Sequence, residues 1–259
     1  MSQTVTILTV ADLHRGHKLY QELEDAVAMH RPDVVVMLGD FLDNTGDEAG
    51  RLTPEECAQV LSHLPCAEVV FIRGNHEDIA ILAFAYAWTA LGRDFHLLEG
   101  RTFVRGPLAL VGFPCLTQQP EGLFHELPLD TDRWLTHRLR KIGVAGRTLW
   151  LMHEPPAGTN LSQAVGPMAG HQEWTAAIER FLPWLAIFGH DHITPIESGQ
   201  WHHSLPGGTL CVNVGQAESG PLRYCIVTAR FAGQQPSLPV EMTVTACPQG
   251  EAIRLPPVG

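Results

Sequence analysis

Lysine is nearly absent from this chain: there are 2 in 259 residues, against 14 histidines. Lysine and arginine together number 17 against 28 acidic residues, a net charge of −11, which argues against DNA, RNA or an anionic membrane surface as an extended partner. No C-x-x-C pair occurs among Cys57, Cys66, Cys115, Cys211, Cys225 and Cys247. With no export signal these read as reduced, buried small hydrophobes. The start, Met-Ser-Gln-Thr-Val-Thr-Ile-Leu, lacks a positively charged segment followed by an apolar stretch and cleavage site, so the expected location is cytoplasmic. The longest apolar run, Ile79 to Leu91, has 13 residues, which suits a buried helix and is too short for a membrane span.

What is present is enough for a core. Hydrophobic residues make up 45% and charged residues 17%, so the chain needs no disulfide or structural metal merely to fold. No repeat, low-complexity tract or linker-like break appears, and a single domain over residues 1–259 is expected.

Thr4–Val10 is a β-branched run, and Lys18–His30 follows with Leu19, Leu23 and Val27 at helical spacing. Val34–Leu38 is a continuous apolar strand of the kind buried on both faces. Thr53-Pro54-Glu55-Glu56 is a helix start, with an N-cap threonine, proline at the first position and glutamate three residues after the cap. Glu68–Ile72, Ala109–Gly112, Thr148–Met152 and Leu185–Phe188 read as strands; Ile79–Leu91, Thr131–Ile142 and Trp174–Phe181 read as helices. Glu154–Gly170, rich in Pro, Gly, Ser and Thr, reads as a long surface loop. In the tail, Thr209–Val214, Tyr224–Ala229 and Glu241–Ala246 have no helices between them, and antiparallel pairing in a second sheet is expected.

The histidines are not scattered. Five of the strands end in polar clusters: Asp12/His14, Asp40/Asp43, Asn75/His76, His153 and His190/His192. Ligands of open α/β sheets lie outside the carboxyl ends of the strands, so these clusters are expected on one rim. Asp12, His14, Asp40, Asn75, His153, His190 and His192 are seven candidate ligands, too many for one tetrahedral ion and suited to two ions sharing a carboxylate. Asp43 could alternatively close an Asx turn, and Arg15 and Arg73 could be solvated or helix-facing rather than phosphate contacts. His17, His171, His202 and His203 are candidate rim residues, whereas Trp134, Trp174 and Trp184 read as packing residues.

In order along the chain stand Asp12-Leu13-His14, Gly39-Asp40-Phe41-Leu42-Asp43, Gly74-Asn75-His76-Glu77, His153 and Gly189-His190-Asp191-His192. This series resembles the calcineurin-like metallophosphoesterase superfamily, whose pattern D-x-H, G-D-x-x-D, G-N-H-[ED], H, G-H-x-H is complete here. The resemblance spans roughly Thr4 to Gln216. It implies an α/β (α+β) fold, a four-layer αββα sandwich of two mixed sheets with helices outside. It also implies two divalent or mixed-valence transition metal ions (Mn, Fe or Zn): Asp12, His14 and His192 hold one, Asn75, His153 and His190 the other, and Asp40 bridges them. A hydroxide between the ions is the expected nucleophile, with His76 as general acid held by Asp43, and Asn75 and Arg15 as substrate contacts.

The same resemblance bears on substrate. Protein phosphatases of the superfamily carry an arginine directly after the second aspartate of G-D-x-x-D, and here that position is Asn44. His153-Glu154-Pro155-Pro156, with Gly207-Gly208-Thr209 leading to Asn213-Val214-Gly215, is more similar to small bacterial phosphodiesterase-type members. The expectation is a phosphodiesterase on a small phosphate ester by in-line attack. A phosphomonoesterase using the same site and a non-catalytic metal-binding scaffold are the alternatives. The Glu154–Gly170 loop is the expected substrate-selecting wall, and the oligomeric state is not legible.

Overall fold

The computed structural model describes residues 3–43, 50–66, 68–77, 79–113, 115–116, 148–217, 220–231 and 239–255. The expected helix Thr131–Ile142, with Trp134, and the position of Asn44 lie outside the described residues. A first sheet contains β1 (Gln3–Val10), β2 (Val34–Leu38), β3 (Glu68–Ile72), β4 (His96–Leu97), β11 (Tyr224–Phe231), β12 (Pro239–Cys247) and β13 (Glu251–Leu255), in the order β13-β12-β11-β1-β2-β3-β4. A second contains β5 (Thr102–Arg105), β6 (Leu108–Gly112), β7 (Leu149–Leu151), β8 (Leu185–Phe188), β9 (His202–Ser204) and β10 (Leu210–Asn213), in the order β5-β6-β7-β8-β10-β9. The helices are α1 (His17–His30), α2 (Pro54–Ser62), α3 (Ala80–Ala90), α4 (Gln172–Phe181) and the short α5 (Thr194–Ser198).

Alternation along the strands makes the layers. Ile7 of β1 and Val34, Val36 and Leu38 of β2 pack against Leu149, Leu151, Leu185 and Ile187 of the second sheet. Their neighbours Leu8, Val10, Val35 and Met37 face the opposite way, onto Leu23 of α1, Leu61 of α2 and Phe84 of α3. Trp150, Ala186 and Phe188 cover Trp174 and Ile178 of α4 on the far side. The result is the four-layer αββα sandwich, and β2 reads as unbroken apolar sequence because both its faces are covered. The start of α2 is a full capping box: Glu56 N–H donates to Thr53 Oγ1 and Thr53 N–H to Glu56 Oε2. No helix among the described residues is long and apolar enough to cross a membrane.

The tail departs from expectation. β11, β12 and β13 do not build a second sheet; β11 pairs antiparallel with β1, from Gln3↔Phe231 to Thr9↔Cys225, and extends the first. β2 occupies one edge of β1 and leaves the other open, and helix-free order alone does not say which sheet edge receives a hairpin. β10 is instead parallel to β8 in the second sheet, with antiparallel β9 at the edge.

Candidate metal centre

The polar clusters hang from the carboxyl ends of β1, β2 and β3 in one sheet and of β7 and β8 in the other. The turns after β1 and β2 are zipped together, with Asp12 N–H donating to Gly39 O (2.9 Å) and His14 N–H to Asp40 O (2.8 Å). Four of the cluster residues sit in the left-handed region, Asp12 (φ 57°), His14 (45°), Asp40 (49°) and His190 (67°), a conformation costing on the order of 1 kcal/mol or more apiece. Two glycines make room: a Cβ on Gly39, itself at φ +91°, would lie 2.4 Å from His153 Nδ1, and one on Gly74 would lie 2.1 Å from Asp40 Oδ1.

Two groups of donors result. Asp12, His14 and His192 have ligand atoms within 4.8 Å of one another, as do Asp40, His153 and His190. In the first, His192 Nε2 is 3.3 Å from Asp12 Oδ1, and His14 Nε2 is buried with no hydrogen-bond partner. In the second, His153 Nδ1–H donates to Leu38 O (2.8 Å) and His190 Nε2–H donates to Pro167 O (3.0 Å). A carbonyl only accepts, so the other ring nitrogens present lone pairs when the rings are neutral. Those nitrogens face oxygen: His153 Nε2 is 3.2 Å from Asp40 Oδ2, and Asn75 Oδ1 is 3.1 Å from both His153 Nε2 and His190 Nδ1. Lone pairs converging this closely fit a cation, and mixed nitrogen and oxygen donors suit a divalent transition metal.

The charges agree. Burial works against the Asp40 carboxylate, but His153 and the neighbouring imidazoles outweigh it and hold its pKa below the usual range. Burial likewise opposes charge on His153, yet Asp40 pushes it up to about 10. His192 is raised, Asp12 outweighing burial, whereas burial and His153 lower His190.

At the mouth, His76 is 36% exposed and its Nδ1 lies 3.6 Å from Asp43 Oδ1, with its pKa raised chiefly by Asp43. His76 N–H donates to Asp40 Oδ1 (2.9 Å), tying the turn after β3 to the one after β2. His14, Asp43 and His76 form a third group within 4.8 Å. A cation already occupies its flank: Arg51 Nη1 donates to Asp43 Oδ2 at 2.5 Å.

Arg15 is buried at 4% exposure; burial raises the Tyr20 hydroxyl and the Cys57 thiol, and the Arg15 charge works the other way on both. Arg73 makes a two-pronged bond to Glu99 (Nε and Nη2, 2.6 Å each). His17 is exposed, His171 pairs with the buried Glu154 (3.2 Å), His202 lies 3.9 Å from Glu251 and His203 bonds Asn160 (2.8 Å). Trp174 and Trp184 are core. The 154–170 loop is more than surface: Leu161 is fully buried and Pro167 O holds His190, while Val165 is 81% exposed.

Three residues escape sequence reasoning. Asp191, between two candidate ligands, is fully buried and accepts from Gln163 N, Ile193 N, Thr194 N and Thr194 Oγ1 at 2.7–2.9 Å, so it fixes the His190–His192 turn against the loop. Glu77 accepts from Leu42 N (2.9 Å) and Gly74 N (2.5 Å), bracing the turns after β2 and β3, and burial followed by the Asp40 charge pushes it up to about 8. Arg51 is the third. For Glu77 a signal existed in the motif; a lone Arg or an Asp between two histidines carries none.

The calcineurin-like phosphoesterase profile matches residues 5–194, and the chain belongs to this family of metal-dependent phosphoric ester hydrolases. No curated protein matches significantly. Similar solved structures include TT1561 of Thermus thermophilus (15% identity, TM-score 0.63, covering 87% of this chain and 94% of that one). A dimetal phosphatase from Danio rerio has 15% identity and a TM-score of 0.61 over 97% of this chain and 98% of that one. The calcineurin-like phosphoesterase YfkN from Bacillus subtilis has 12% identity and a TM-score of 0.54 over 95% and 91%. At these identities the likeness is one of fold.

Proposed function

We propose that the chain is a dinuclear phosphodiesterase acting on a small phosphodiester in the cytoplasm, folded as one domain. Asp12, His14 and His192 would hold one ion, Asn75, His153 and His190 the other, with Asp40 between them; manganese, iron or zinc suits these donors. Two such ions, when bound, lower the pKa of water and offset charge on the phosphoryl oxygens. The chain supplies the rest. His76, with Nδ1 toward Asp43, has Nε2 to protonate the leaving alkoxide. Asn75, with Oδ1 turned to the two histidines, has its amide N–H groups to donate to a phosphoryl oxygen.

The observation that carries the diester over the monoester is how the arginines beside the motifs are engaged. Arg73 is committed to Glu99 and Arg51 to Asp43, and Arg15 is buried. A monoester dianion calls for cationic clamps, whereas a singly charged diester with a basic leaving group calls for an acid. The test is the rate ratio for bis(4-nitrophenyl) phosphate against 4-nitrophenyl phosphate with manganese, beside Asp40→Ala. A ratio well above one, lost in the variant, supports the diester; a ratio well below one makes the monoesterase primary.

A further inference from the structure

Backbone bonds hold the segment carrying Arg51 beside the turn after β1. Gly16 and Arg51 form an isolated antiparallel bridge, Leu52 N–H donates to Arg15 O (2.8 Å) and His17 N–H donates to Gly50 O (3.3 Å). From there the Arg51 side chain, 24% exposed, reaches back to Asp43, which is 6% exposed. Asp43 stands between two imidazoles: His14 Nδ1 is 3.8 Å from Oδ2 and His76 Nδ1 is 3.6 Å from Oδ1. Without the guanidinium the carboxylate is free to turn away from His76 toward His14. With Nη1 on Oδ2 at 2.5 Å, a charge-assisted bond among the strong ones, the carboxylate is pinned with Oδ1 toward His76.

We infer that Arg51 is a positioning residue for the leaving-group step: it fixes Asp43 so that Asp43 aims His76, and it touches neither ion nor phosphate. The inference rests on His76 being the proton donor. In that step a water oxygen forms a bond to phosphorus, the bond from phosphorus to the leaving oxygen breaks, the His76 proton passes to that oxygen, and the proton released by the water restores the imidazole. Donation is needed for an alkoxide and hardly for a nitrophenolate, which leaves unaided. Arg51 therefore governs one kind of leaving group.

The manganese-loaded full chain and its Arg51→Ala and Arg51→Lys variants are compared on diethyl phosphate and ethyl 4-nitrophenyl phosphate. Arg51→Ala should lower the alkyl-to-aryl ratio of kcat on the order of tenfold or more, inside the roughly 10²–10⁴-fold that a positioned acid contributes, and Arg51→Lys should recover part of it. Equal losses on both esters, or no loss, would overturn the inference. A crystal structure of Arg51→Ala reads the geometry apart from turnover. The Asp43 carboxylate should rotate so that no oxygen remains within about 4 Å of His76 Nδ1, a salt-bridge distance; an unmoved Asp43 overturns the positioning role even if wild type hydrolyses neither ester. Wild type inert on both esters would instead strike the phosphodiesterase reading.

Discussion

The Nδ1–H of His153 donates to the carbonyl of Leu38, the last residue of β2, 2.8 Å away across the two sheets. This bond fixes which ring nitrogen faces Asp40, and it ties the second sheet to the strand that delivers that aspartate. A histidine ligand whose second nitrogen donates to a carbonyl keeps its tautomer and orientation, which is what a metal centre requires of the groups behind it.

The Asp40–His153 pair gives the metal-free protein a pH signature. The folded His153 pKa, about 10, stands above its ordinary 6.5, so its contribution is complete below 6.5 and is lost as pH rises through about 10. Glu77, raised from 4.5 to about 8, likewise loses its contribution as pH rises from 4.5 through about 8. Asp40, lowered from 3.8, adds stability above that value that is lost on acidification. Thermal unfolding of chelator-treated protein should therefore show a midpoint falling from pH 6.5 to about 10, with a slope of up to about 1.4 kcal/mol per pH unit from each titrating group. Saturating manganese should raise the midpoint and flatten the profile; a flat profile in metal-free protein would contradict the pairing.

Gly74→Ala tests whether the glycine in the third motif is steric. Its Cβ would fall 2.1 Å from Asp40 Oδ1 and 2.7 Å from Asp40 N, so the aspartate must move. The expected cost is about 1–3 kcal/mol of stability, as for other overpacked sites, with metal content and turnover falling together. Full metal and full turnover would show that the turn yields without moving Asp40.

Removing the Asp191 carboxylate strands four donors in a buried place. Asp191→Ala should destabilise by about 3 kcal/mol or more. It should also speed amide hydrogen exchange at Gln163, Ile193 and Thr194 ahead of the strands; uniform acceleration would mean that Asp191 does not specifically hold the loop to the His190–His192 turn.

Much of this was legible because apolar runs stop where polar clusters start. The strands Val34–Leu38, Glu68–Ile72 and Leu185–Phe188 read directly, since buried central strands have no competing pattern. The short pieces did not: His96–Leu97 and His202–Ser204 are strands only because a neighbour supplies the ladder. Sheet membership of the tail failed for the same reason, being decided by the open edge of β1. Among site residues, the ligand candidates announced themselves by spacing, while Arg51 and Asp191 act through single contacts that spacing does not encode. Arg15 stands next to His14 in sequence, yet it is Arg51, brought close by the Gly16 bridge, that reaches Asp43.

Whether the strand ends of two sheets assemble one two-ion site is read from anomalous scattering of manganese-soaked crystals. Two peaks are expected on opposite sides of Asp40, one among Asp12, His14 and His192 and the other among Asn75, His153 and His190. A single peak, or a peak among His14, Asp43 and His76 where Arg51 stands, would contradict the two-ion site.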